Sequence, residues 1–287
     1  MKVGVVGLSL SLMNFTDTLD FIRDIGGNCL ELCTVKDAHN NTLDLSAGNR
    51  TEVKKMVHDR GLLIASVAGY NDFTLPNLRE LEKQVEQLRW YCQLAVDLDV
   101  KIVRVLSGDY QCGEPRLEYL SNIITGMKMA VKMADELDLT LALENHGHLV
   151  NDAPALLQIL NEVASERLKV TLDTGNFVWA GHSLEDSYRY FEMLAPYIGN
   201  VHLKDVSFEN GQVRFVPLGQ GMLDFNRLFQ ILQAIGYQET LLCEYEGAGE
   251  PKKLLKEGAF NRERLVAELK QGTKESLDHI RSIFKGS

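Results

Sequence analysis

The chain has 287 residues, 45% of them hydrophobic and 24% charged, with a formal net charge of −10. That length fits one large α/β barrel or two ordinary domains, and the acidic balance argues against binding nucleic acid phosphates or anionic membranes. The N-terminal MKVGVVGLSLSLM has one lysine and no small-residue cleavage pattern, so it reads as a first core strand. No run reaches the roughly 18 apolar residues of a membrane span. The five cysteines, at 29, 33, 92, 112 and 243, form no CxxC pair. Cys29 and Cys33 share one strand-like run, and four strand residues span roughly 13 Å, too far for a disulfide. Free thiols of a cytoplasmic protein are the expectation.

Strand-like runs fall at about 2–8, 29–33, 62–68, 102–107, 140–146, 169–175, 199–205 and 240–246. They are rich in Val, Ile and Leu with little alternation, as expected of parallel strands buried on both faces. Helix-period segments fill the gaps, at about 16–26, 50–60, 77–98, 116–138, 152–165, 184–196, 224–236 and 261–284. Asp17 and Thr51 are candidate N-caps, and Pro76, Pro115 and Pro154 sit where first turns should begin. Eight strands alternating with eight helices predict a single-domain (β/α)8 barrel over residues 1–287. The rival, a doubly wound sheet, lacks the GxGxxG of its dinucleotide-binding variant. Two insertions interrupt the alternation. Residues 206–217 flank Asn210-Gly211 and predict a β-hairpin, and residues 247–260 predict a loop after the eighth strand.

Four strand-like runs end abruptly in acids or histidine: TLALENHG, KVTLDTGN, NVHLKD and TLLCEYEG. Glu144 to Asp173 is 29 positions and Asp173 to His202 is again 29, one βα unit per step. Such spacing places the three at equivalent strand ends, on the barrel face where active sites lie. With Glu244 they form a set of three carboxylates and an imidazole. Three buried acids at close range would repel one another without a cation, so the set is read as the ligands of one divalent metal. Oxygen donors with one histidine suit Mn²⁺ first, with Mg²⁺, Co²⁺ and Zn²⁺ as alternatives. Residues i and i+2 of a strand share a face, which brings His146 in with Glu144 and Lys204 in with His202, and leaves Glu246 as a rival to Glu244. Glu31 and Arg104 are expected to face the barrel interior as an ion pair, with Glu31 alternatively touching a substrate hydroxyl. Arg214, in the hairpin, is a candidate phosphate contact. Phe177 and Trp179 are candidates either for a substrate wall or for packing. Tyr70, Phe73 and His39 are weaker pocket candidates, and Lys252-Lys253 reads as solvated charge.

At these residues the chain resembles the sugar (or sugar phosphate) isomerase/epimerase family of xylose isomerase-like TIM barrels, which includes tagatose/psicose 3-epimerases, hydroxypyruvate isomerase and inosose dehydratase. The resemblance covers nearly the whole chain. It rests on LEN at 143–145, LDTGN at 172–176, HLKD at 202–205, PLGQGMLDF at 217–225 and the strand end at Glu244. It implies that Glu144, Asp173, His202 and Glu244 hold the metal. It also implies that Glu144 and Glu244 double as acid and base on opposite faces of the substrate, working through a cis-enediolate. Family spacing favours Glu244 over Glu246. Many relatives carry histidine where this chain has Asn176, and use it to hold substrate. The implied function is epimerisation or isomerisation of a small sugar or sugar phosphate by a homodimer or homotetramer. The alternatives are a metal-dependent dehydratase, or a barrel that binds metal and sugar without catalysis. The endonuclease branch of the fold needs many histidines at the barrel mouth, and this chain has seven in all.

Overall fold

A computed structural model describes residues 1–34, 43–108, 116–247 and 261–285. His39, Cys112, Pro115, the Lys252-Lys253 pair and all but the start of the 247–260 loop lie outside the described residues. Eight parallel strands form a closed barrel in the order β1-β10-β7-β6-β5-β4-β3-β2. They are β1 (Lys2–Val6), β2 (Cys29–Leu32), β3 (Leu63–Ala68), β4 (Ile102–Val105), β5 (Thr140–Glu144), β6 (Leu168–Asp173), β7 (Ile198–Leu203) and β10 (Thr240–Cys243). Strands β8 (Asp205–Glu209) and β9 (Gln212–Val216) make the expected hairpin, with Asn210 at φ 51° and Gly211 at φ 77°. Two positive φ values in a row are what a tight right-twisting hairpin turn demands. Six of these strands stop two or three residues earlier than the apolar runs suggested, because the polar residues at the mouth leave the ladder, while β2 stops one residue early and β3 where expected. Two parts of the chain are compact in themselves, residues 1–65 with 202–287, and residues 66–201. The divisions fall inside β3 and β7.

In the first part, β1 pairs with β2 and β10, and Val5 and Leu242 are fully buried. The approach of β1 to β2 requires Gly4, since a Cβ there would lie 2.1 Å from the Cys29 carbonyl oxygen. Helix α1 (Phe15–Asp24) buries Phe15, Thr18, Leu19 and Ile22, one stripe at helical spacing. Its cap is Asn14, whose side chain accepts from the Asp17 N–H. Asp17 is therefore in the first turn, where its charge favours the helix dipole. Thr51 likewise lies inside α2 (Arg50–His58), which begins after a 3-10 turn over Ala47–Asn49. In both places the chain turns earlier than the apolar period shows. The last helix (Arg262–Lys285) is tied to this part by Arg262 donating to the Leu12 carbonyl and Arg281 to the Ile25 carbonyl.

Asp205 organises the segment between the hairpin and the next helix, Phe225–Ala234. Its Oδ1 accepts from the N–H groups of Val206 (2.9 Å) and Leu223 (3.2 Å), and its Oδ2 from those of Gly219 (3.0 Å) and Gly221 (2.9 Å). A Cβ on Gly221 would fall 2.1 Å from this carboxylate, and Gly219 has φ 84°. The PLGQG motif thus places bare backbone around one acid. Burial pushes the Asp205 carboxyl up from its ordinary value, against the pull of the four donors.

In the second part, helices α3 (Leu78–Asp97), α4 (Arg116–Glu136), α5 (Ala153–Val163), α6 (Asn176–Trp179) and α7 (Leu184–Leu194) follow their strands. Asn77, Asp152 and Ser183 cap α3, α5 and α7, each accepting from a backbone N–H three residues on. Pro154 occupies the first turn of α5, while Pro76 precedes the α3 cap. Gly126 lets α4 lie against the buried Phe73 ring, 2.5 Å from where a Cβ would stand. Phe73 is therefore core and not a pocket residue. Phe177 is also fully buried and packs on Tyr190 and Phe191. Among the described residues no helix is long and apolar enough to cross a membrane.

Candidate metal centre

In the second part of the chain, Glu144 is the last residue of β5 and Asp173 the last of β6. Their relative exposures are 4% and 0%. Arg104 on β4 approaches Glu144, Nε to Oε2, at 3.4 Å. Arg104 is itself fixed by donation to the Gly69 carbonyl and by the Tyr70 ring 4.9 Å away. Asp173 Oδ1 accepts from the N–H groups of Gly175 (2.9 Å) and Asn176 (3.0 Å), which shapes the turn into α6. So Asp173 acts as a turn-capping acid as well as a member of the cluster described below.

Three buried asparagines frame these two acids. Asn145 accepts from the Asp173 N–H (2.8 Å) and donates to the Asp173 carbonyl (2.9 Å), so it extends the β5–β6 pairing beyond the last ladder residue. Asn151 donates to the carbonyls of Gly147 and Asn176. Asn176 donates to the Asn145 carbonyl at 3.0 Å and to Glu144 Oε1 at 3.4 Å. Asn176 thus points its amide at the protein frame and at one acid. His146 departs from the parity expectation. Since β5 ends at Glu144, the two-residue alternation does not carry on, and His146 is exposed in a bridge with Val150. Its ring lies 6.4 Å from that of Trp179, which stacks on His148 at 4.5 Å.

In the first part, His202 on β7 is 1% exposed and stands between two glutamates. Its Nε2 is 3.1 Å from Glu31 Oε2, and its Nδ1 is 3.2 Å from Glu244 Oε2. Glu244 follows β10 and is 7% exposed. Lys204 is 3% exposed, 2.6 Å from Glu246 and 3.4 Å from Glu244, with its ammonium 5.0 Å from the Phe215 ring. Lys204 lies near both acids, and the approach of Glu244 to His202 Nδ1 is what sets it apart from Glu246, a distinction that alternation could not make. Arg214 on β9 is half exposed and lies 4.0 Å from Glu209.

One ligand atom from each of Glu144, Asp173, His202 and Glu244 lies within 4.8 Å of all the others. Donors about 2.2 Å from a common ion are at most about 4.4 Å apart, so the set needs to close by only a few tenths of an ångström. Three carboxylates and a neutral imidazole are hard and borderline donors that fit a divalent ion of the Mn²⁺, Mg²⁺, Co²⁺ or Zn²⁺ class. Burial of all four makes their mutual repulsion costly without a cation.

Fold and cluster define a (β/α)8 barrel with a buried acid–imidazole set at its C-terminal strand ends. A family model for the xylose isomerase-like TIM barrel matches residues 19–283, and the chain belongs to that family. It is 25% identical over 236 residues, 79% of this chain and 81% of the other, to the L-ribulose-5-phosphate 3-epimerase UlaE of Escherichia coli strain ATCC 8739. Its fold is shared with D-psicose 3-epimerase of Clostridium cellulolyticum H10, solved with D-tagatose, at TM-score 0.76 and 16% identity over 98% of this chain and 99% of that one. It is likewise shared with the IolI protein, solved with a bound zinc atom, at TM-score 0.75 and 16% identity over 97% and 99%.

Proposed function

We propose that this chain is a divalent-metal-dependent epimerase or isomerase of a small ketose, with a ketopentose phosphate as the leading substrate class. The observation that carries the reading is the convergence of Glu144, Asp173, His202 and Glu244 within 4.8 Å. The names of the curated relatives support the pentulose 5-phosphate. A divalent ion in that set would act as a Lewis acid toward a substrate carbonyl and the hydroxyl beside it.

The chain's own residues supply the proton transfers. One of Glu144 and Glu244 takes the proton from the carbon next to the carbonyl, leaving a cis-enediolate. The other returns a proton to the same carbon from the opposite face, which inverts it; return to the neighbouring carbon gives the isomer. Asn176 and Arg104 contact the Glu144 carboxylate, and Lys204 contacts that of Glu244. Each base is therefore held in one orientation, the condition for transfer over a short distance. Lys204 and Arg104 also bring positive charge to a site where enediolate oxygens gain negative charge.

The test is proton exchange. The protein is incubated in D2O with Mn²⁺ and a panel of ketopentoses, free and phosphorylated, and followed by NMR. Deuterium should enter the carbon next to the carbonyl, and an epimer or isomer should accumulate. Glu144→Gln and Glu244→Gln should each slow turnover by about 10²–10⁴. Full exchange in either variant, or none with any ketose in the wild type, would refute the reading.

A further inference from the structure

We infer that Glu31 is a positioning residue for the metal-ligating imidazole and not a contact for substrate. The inference rests on the metal-dependent reading above. His202 presents its two ring nitrogens to two different carboxylates, Nδ1 to Glu244 at 3.2 Å and Nε2 to Glu31 at 3.1 Å. Glu244 belongs to the four-residue set and Glu31 does not. The nitrogen on the ligand side is therefore Nδ1. A neutral imidazole has one N–H and one lone pair, and an ionised carboxylate only accepts. The bond to Glu31 consequently assigns the proton to Nε2 and turns the Nδ1 lone pair toward the cluster. A carboxylate behind a ligating histidine fixes its tautomer, holds the ring plane and makes the ligand nitrogen more basic.

Local construction agrees with this role. Glu31 is fully buried within β2, opposite Val6 of β1 in register. The backbone at Glu31 is closely approached by Gly7, where a Cβ would stand 2.7 Å from the Glu31 carbonyl oxygen. A residue packed this way has its side chain set by the barrel and already bonded to the imidazole. Contact with a sugar hydroxyl needs a carboxylate oxygen turned to the substrate, whereas the buried Glu31 carboxylate is turned to His202 Nε2.

The experiment is metal binding to chelator-stripped full-length protein, measured by calorimetric titration with Mn²⁺ and by the visible absorption of bound Co²⁺. Glu31→Ala should weaken Mn²⁺ binding by about 10–100-fold and alter the Co²⁺ band, since the ring is no longer held. Glu31→Gln keeps one acceptor oxygen for the Nε2–H and should fall between the wild type and Glu31→Ala. Unchanged affinity and spectrum in Glu31→Ala would overturn the inference. So would a variant whose metal affinity is that of the wild type while only the KM for sugar rises, because that marks a substrate contact. If circular dichroism shows Glu31→Ala to be unfolded, Glu31→Gln decides: wild-type affinity and an identical band overturn the proposal. Wild-type protein that takes up neither Mn²⁺ nor Co²⁺ would instead sink the metal-dependent reading, so the two failures are told apart.

Discussion

Replacing Asp205 with asparagine exchanges one oxygen for an amide nitrogen and leaves the volume almost unchanged. In the wild type each oxygen accepts two backbone N–H groups. Asparagine can satisfy one pair through its remaining oxygen. Its NH2 then faces the other pair, donor against donor. Two hydrogen bonds to a charged group are lost, at about 1.5–3 kcal/mol each, giving about 3–6 kcal/mol. The variant also escapes the cost of burying a charge, which is what pushes the Asp205 carboxyl up. The net effect therefore belongs at the lower end, about 3 kcal/mol. For a chain of this length each kcal/mol lowers Tm by about 2 °C, so Asp205→Asn should melt about 6 °C lower. Scanning calorimetry at neutral pH in EDTA measures this without a contribution from bound metal. Limited proteolysis should show faster cleavage within 217–223. A loss below about 2 °C, with the segment as resistant as before, would refute the account of this motif.

Three other outcomes follow from the same reasoning. Asn145→Ala strips the Asp173 backbone N–H and carbonyl of their buried partners, at about 1–3 kcal/mol for each group; an unchanged melting temperature in EDTA would contradict that. Gly126→Ala should destabilise although alanine favours a helix by up to about 1 kcal/mol. Its Cβ meets the Phe73 ring at 2.5 Å, and overpacking costs about 1–3 kcal/mol; a variant that melts higher would refute this. Burial pushes the Cys29 and Cys92 thiols up to about 12, so neither forms thiolate at pH 8 and neither should react with a thiol reagent until the protein is denatured. Labelling of either cysteine in the folded state would contradict this.

The alternation of apolar runs with helix-period segments was enough to read the barrel, because parallel strands buried on both faces leave a strong compositional mark. The two 29-residue steps carried the corners of the site, since equal βα units put equal positions at equal strand ends. What the sequence could not show is where strands stop. Apolar runs continue into residues that have already left the ladder, so the i, i+2 rule put His146 beside Glu144, where the structure exposes it. The same rule left Glu246 indistinguishable from Glu244, which the approach of Glu244 to His202 separates. Asn14 and Asn49 were passed over as boundaries in favour of Asp17 and Thr51, which have cap-type side chains but lie inside the first turns. Asn151 carries no signal by itself; its importance lies in two carbonyls that are 4 and 25 positions away in sequence.

The asparagines that join the ends of β5 and β6 are neutral at every pH a folded protein meets. Glu144 and Asp173 are thus joined by a frame of amides that carries no net charge, with Arg104 as a charged contact on Glu144. Salt screens exposed charges and not buried amide–carbonyl geometry, so the spacing of these two buried acids does not depend on ionic strength. Two properties that are usually entangled in an acidic metal site, the strength of the electrostatic pull and the shape of the donor set, are separated in this half of the barrel mouth. For a divalent ion held by this set, exchange for another of similar radius would be governed by donor preference, with the scaffold as a constant.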